Sequence, residues 1–114
     1  MNHLKQVLRN IQHSLANDLY TLYSNPGAQP HEMAHVNRDS PYSIAVAPLL
    51  FQRPEGPNTI ESTIIHELSH FSNIGNTADT AYGAGNDRRL AVMYGAAAAN
   101  NADNYGLFVA AAGV

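Results

Sequence analysis

Apolar residues recur at helical spacing from the start of the chain, where Leu4, Val7, Leu8, Ile11, Leu15, Leu19 and Leu22 form one stripe. A turn cluster of Ser24, Asn25, Pro26 and Gly27 ends it. The spacing predicts a helix over about residues 3–23 that serves as core scaffolding, with His3 and His13 solvated on its other side. The pattern then shortens. Two extended runs, residues 33–36 and 43–47, flank the turn residues Asn37, Arg38, Asp39 and Ser40 and predict a hairpin over about 33–47, followed by a Pro-rich loop over 48–57. A second helical pattern spans about residues 59–73, with Ile60, Ile64, Leu68, Phe71 and Ile74 on one arc and Glu61, Ser62, Ser69, Ser72 and Asn73 on the other. Asn58 and Glu61 stand at capping-box spacing, and Gly75 offers a stop. The remaining chain predicts helices over about 88–94 and 96–112, parted at Tyr94 and Gly95, the longer one burying Ala98, Ala102, Tyr105, Val109 and Ala112. Together these elements predict a compact α+β fold, mostly helical with a small hairpin or sheet beside the helix at 59–73, forming a single domain over residues 1–114.

Composition narrows the function classes. With 114 residues, 45% of them hydrophobic, the chain can bury one core and hardly two. A net charge of -3 leaves no basic stripe for nucleic acid, and no run approaches the eighteen or so apolar residues of a membrane span. The absence of cysteine excludes disulfides and points to a bacterial protein or a reducing compartment. The N-terminal MNHLKQVLRN is amphipathic and does not read as a signal peptide. A leader removed elsewhere, a longer parent polypeptide or another export route would each account for it.

Candidate chemistry lies in HELSH, residues 66–70, and in the GNTADTAYG that follows at 75–83. His66 and His70, at i and i+4 of the predicted helix, share a face and can turn both imidazoles to one metal ion at about 2.0–2.1 Å. Glu67 between them suits an acid-base group, taking a proton from water and returning it to a leaving amine. Catalytic zinc usually keeps three protein ligands, so one further His, Asp or Glu is required. Asp79, nine residues after His70, can supply it, because Gly75, Asn76 and Thr77 suit a reversal of the chain. Tyr82 then lies where a phenol could donate to a developing oxyanion, although taken alone a tyrosine is more often a packing residue with a satisfied hydroxyl. A second HExxH, HEMAH at residues 31–35, sits between Pro30 and Pro41 with a turn cluster directly after it. That leaves no room for a helix, so it reads as an edge strand entering the hairpin.

The run HELSHFSNIGNTADTAYG resembles the aspzincins, the deuterolysin and lysine-specific metalloendopeptidase family, whose pattern is HExxH followed by GTxDxxYG. The resemblance implies one Zn2+ per chain held by His66, His70 and Asp79, Glu67 as general base, and Tyr82 as hydrogen-bond donor to the transition state. Where the family has Gly before the Thr, this chain has Asn76, a residue that tolerates the left-handed conformation. Farther on, NNADNYGLF at residues 100–108 resembles the family's substrate-pocket region, which implies Asp103 and Gly106 as substrate-binding positions. Lysine-specific members carry an acid at the place of Gly106, so strict lysine specificity is expected to relax. Asp103 reads equally well as a carboxylate bonded to a nearby loop.

These residues predict a zinc endopeptidase acting on proteins or peptides by activated water. A zinc amidase acting on peptidoglycan or another polymer amide, and a silent metal- or partner-binding module, are the alternatives. A monomer is expected, secreted or delivered as an effector toxin and met by an inhibitor or immunity protein; lack of cysteine is compatible with cytoplasmic action.

Overall fold

The computed structural model describes residues 2–25, 33–52 and 60–111. Helix α1 (Asn2–Asn17) packs Val7 and Ile11 into the core and then stops, five residues before the stripe of leucines does. Its last turn is closed by the Asp18 N–H donating to the Ser14 carbonyl, while the Ser14 hydroxyl meets both Asp18 and the Tyr20 hydroxyl. The helix expected to continue to residue 23 therefore gives way to strand β1 (Thr21–Ser24). Leu15, Leu19 and Leu22 are exposed, Leu19 at 93%. Pairing with a central strand outweighs the helical periodicity here, because the Thr21 N–H donates to the Tyr42 carbonyl and the Asn25 N–H to the Val46 carbonyl.

That central strand is β3 (Ser43–Val46), with β1 parallel on one side and β2 (Ala34–His35) antiparallel on the other. The hairpin is where the turn residues placed it, and β1 adds a third strand to it. Ile44, Ala45, Val46 and Ala47 are buried beneath the helices. A 3-10 turn at Pro48–Gln52 begins the Pro-rich segment. The rest of that segment, the Asn58 cap and His31 and Glu32 of the second HExxH lie outside the described residues.

Helix α2 (Ile60–His70) ends three residues before the expected boundary, its chain turning over residues 71–75. Leu68, Phe71 and Ile74 join Ile44, Leu50, Val7 and Tyr105 in the core. Ser62 and Ser69, read from the sequence as solvent-facing, are buried as well. Helix α5 (Ala102–Ala111) lies against α2 with Gly106 facing Ser62, and the chain reversal after α2 covers Ser69 through Gly75 and Thr77. A Cβ at Gly106 would stand 2.6 Å from the Ser62 carbonyl oxygen, so this position, expected to bind substrate, lies against the backbone of α2.

The C-terminal region holds three helices where two were expected: α3 (Ala84–Met93), α4 (Gly95–Ala98) and α5. Helix α3 begins four residues early, and the predicted long helix is interrupted at residues 99–101. There Asn101 forms a parallel bridge with Ala78, a tertiary pairing that no local periodicity encodes. Ala98, Ala102 and Tyr105 are buried as expected, and the Tyr105 hydroxyl donates to the Ala99 carbonyl across the break.

Candidate metal centre

Helix α2 presents His66 and His70 from its last turns, and the reversal after it carries Asp79 back to them. Asn76 makes the reversal possible by adopting φ 49°, the left-handed conformation that the family's Gly would supply. Thr77 is fully buried, its hydroxyl paired with that of Ser69 at 2.8 Å. Asp79 Oδ1 then lies 3.0 Å from His66 Nε2 and 3.1 Å from His70 Nε2. Among the described residues, His66, His70 and Asp79 are the group whose ligand atoms converge, all within 4.8 Å of one another.

The outer nitrogens of both rings are engaged as well. His66 Nδ1 faces Asp103 Oδ1 at 3.1 Å, and His70 Nδ1 faces the Thr77 carbonyl at 2.9 Å. A carbonyl can only accept, so His70 Nδ1 carries a proton and its Nε2 is the free lone pair in the neutral ring. Two such lone pairs turned toward one carboxylate oxygen form a site for a cation. Rings held by a carboxylate and a backbone carbonyl behind them are the usual setting of metal-bound imidazoles. The donor set of two nitrogens and one carboxylate oxygen fits zinc with a position left open.

Electrostatics follow from burial and proximity. Burial works against a charged His66, but hydrogen bonds to Asp103 and Asp79, with the charges of Glu67 and Asp79, outweigh it and raise its pKa to about 9. Burial likewise opposes the Asp79 anion, yet its bonds to the two histidines hold it well below the carboxylate range. Glu67, 6% exposed, is pushed up to about 7 by desolvation, with the two histidines pulling the other way. Tyr82 stacks on the His66 ring at 5.6 Å between centroids; desolvation, and after it the nearby Asp79 carboxylate, raise its pKa, so it remains a donor. Beside it runs a cleft of about 470 Å³ lined in part by Arg89, Leu90, Met93 and Tyr94.

Each residue singled out in HELSH and GNTADTAYG is thus in one place. Asp103 is adjacent, with one oxygen on His66 and the other accepting the Gly83 N–H at 2.8 Å, whereas Gly106 is spent in helix contact. His35 of the second HExxH lies exposed on the edge strand. Three neighbours were not singled out from the sequence, Arg38 and Asp87 for want of any local signal and Asn101 although it lies in NNADNYGLF. The Thr77 carbonyl accepts from Arg38 Nη2 at 3.1 Å as well as from His70. Asn101 bonds the loop of Asp79, and Asp87, fully buried, sits against Asp103. Burial and that neighbour push the Asp87 carboxyl up to about 8, and its buried Oδ2 has no hydrogen-bond partner among the described residues.

A helix that offers two histidines one turn apart to a carboxylate from the next loop, with a glutamate between them, is the arrangement of HExxH metallohydrolases. The sequence pattern of the aspzincins, described as lysine-specific metallo-endopeptidase, matches residues 1–110, and the chain belongs to that family. An extracellular protease of Aeromonas hydrophila is 37% identical over 83 residues, 72% of this chain but 24% of that protein, so the chain spans about a quarter of this curated relative's length. The solved structure of a zinc peptidase from Grifola frondosa matches with a TM-score of 0.82 at 27% identity, covering 94% of this chain and 67% of that one.

Proposed function

We propose that the chain is a zinc-dependent endopeptidase unit in which His66, His70 and Asp79 hold one zinc ion, Glu67 is the general base and Tyr82 steadies the oxyanion. The observation that carries the reading is the convergence of His66 Nε2, His70 Nε2 and Asp79 Oδ1 with both outer ring nitrogens already engaged. When bound, zinc supplies Lewis acidity toward the scissile carbonyl and the attacking water. Glu67, between the histidines and shielded from bulk solvent, takes the proton of that water and returns it to the leaving nitrogen. The Tyr82 hydroxyl donates to the oxygen that gains charge as the carbonyl becomes tetrahedral. Edge strand β2 suits an extended substrate, which would add to the sheet by backbone hydrogen bonds.

The same geometry supports relaxed specificity. Both oxygens of Asp103 are engaged, and Gly106 brings no carboxylate, so a lysine ammonium would find little to offset its desolvation. The Aeromonas relative is described as extracellular, which supports secretion of this chain too; the relatives are a protease and a peptidase, and an effector toxin finds no support in either. Metal analysis of the purified protein combined with digestion of an unfolded substrate tests the proposal. One zinc per chain and new peptide termini are expected. Zinc without cleavage would favour the amidase or a silent binding module, and a protein that takes up no zinc would overturn the reading.

A further inference from the structure

The loop that carries Asp79 and Tyr82 has no helix or strand of its own, yet it is anchored residue by residue to the segment before α5. The Ala78 N–H donates to the Asn100 carbonyl at 2.8 Å, and the Ala78 carbonyl accepts the Ala102 N–H at 3.0 Å. Asn101, between those two partners, is fully buried. Its Oδ1 accepts the N–H groups of Thr80 at 2.8 Å and Ala81 at 2.9 Å. Its Nδ2 donates to the Ala81 carbonyl at 3.0 Å and to Asn104 Oδ1 at 2.7 Å, with a longer contact of 3.4 Å to Asp87 Oδ1. An asparagine just ahead of a helix ordinarily turns its side-chain oxygen to that helix's own free N–H groups. Here the oxygen points away from α5 and takes two N–H groups of the loop instead, so the residue serves the loop.

We infer that Asn101 is a positioning residue for the metal centre: by gripping the backbone at residues 80 and 81 it fixes where Asp79 meets the two histidines and where Tyr82 stands over them. Asp79 is pinned on both sides, through the backbone of Ala78 before it and through Asn101 after it. Only an amide of this length supplies an acceptor for two N–H groups and donors for the Ala81 carbonyl and Asn104 at once. The inference rests on Asp79 being a zinc ligand, and its test separates the two ideas.

Amide hydrogen exchange on the zinc-free protein reads the grip directly, and zinc affinity by chelator competition reads its consequence. In Asn101→Ala the Thr80 and Ala81 amides should exchange at least about tenfold faster, and zinc affinity should fall about 10- to 100-fold, as when a supporting contact behind a metal ligand is lost. At saturating zinc, kcat should fall while KM changes little, because Tyr82 is displaced along with Asp79. Asn101→Asp keeps the acceptor for both N–H groups and should restore their protection and part of the zinc affinity; it carries the test alone if the alanine variant does not fold, with protected amides expected. Lower melting temperature with unchanged zinc affinity, kcat and amide exchange would reduce Asn101 to an ordinary buried amide and overturn the inference, as would an aspartate variant in which both amides exchange freely. A wild-type chain that binds no zinc but protects both amides would overturn the metal reading and leave the grip standing.

Discussion

Glu67 and Tyr82 both adjoin the histidines and should fail in different ways when altered. Glu67→Gln preserves the shape of the side chain but cannot accept a proton, so the protein should retain zinc and lose about 10²- to 10⁴-fold in kcat. Tyr82→Phe keeps the stack on His66 and removes the donor, so kcat should fall by about 10²-fold with KM little changed. His66→Ala and Asp79→Ala should lose the metal itself, which elemental analysis would register, whereas Glu32→Gln in the other HExxH should leave turnover intact. A normal rate in Glu67→Gln would transfer the general-base role elsewhere. Asp87 adds a titration. Its folded pKa of about 8 lies above the ordinary aspartate value of 3.8, so the protonated acid belongs to the native state. Its stabilising contribution is full below pH about 4 and is lost as pH rises through about 8. Melting temperature in chelator should therefore decline across that window in the wild type and less steeply in Asp87→Asn; parallel profiles would show that Asp87 is ionised throughout.

At the scale of elements, the contact between α2 and α5 makes a sharper demand than any single side chain. Gly106→Ala would drive a methyl into the Ser62 carbonyl, and overpacking of this kind costs about 1–3 kcal/mol. Gly85, on α3 with open space around it, should respond in the opposite sense, Gly85→Ala gaining about 0.5–1 kcal/mol. Denaturant melts of the two variants read both signs, and a neutral Gly106→Ala would mean that the helices are looser than drawn. The same elements explain what could be read from the chain alone. HELSH and GNTADTAYG lie within eighteen consecutive residues, so helical spacing and turn residues were enough to expect His66, His70 and Asp79 close together, while the left-handed Asn76 was expected from the resemblance. Strand β1 was hidden because Leu19 and Leu22 continue a helical stripe while the β3 backbone offers better partners. The interruption before α5 was hidden because Ala96 to Ala99 favour helix and the competing bridge comes from Ala78, more than twenty residues away. Asp103 could be found by its motif, but its bond to His66 spans 37 positions and is visible only in three dimensions.

Taken as a whole, the molecule should melt as a holoprotein well above its metal-free form. Zinc at a hundredfold excess over its Kd adds about 2.7 kcal/mol to the folded state. For a chain of this size that is on the order of 10 °C in melting temperature, lost on adding chelator and regained with zinc. A melting curve indifferent to chelator would mean that the histidines and Asp79 do not share an ion. Peptide mapping of digests should show cleavage before several residue types, and cuts confined to the amino side of lysine would refute the relaxed pocket.

The Thr77 carbonyl gathers the Nδ1 of His70 and the guanidinium of Arg38, the latter from a turn 39 positions earlier in the chain. A synthetic peptide of residues 60–83 would contain all three proposed zinc ligands, Glu67 and Tyr82, yet neither Arg38 nor Asp103. In such a fragment the imidazoles would have to be ordered at the moment of metal capture, so its entropy of zinc binding should be markedly less favourable than that of the intact fold, which settles the ring orientations in advance.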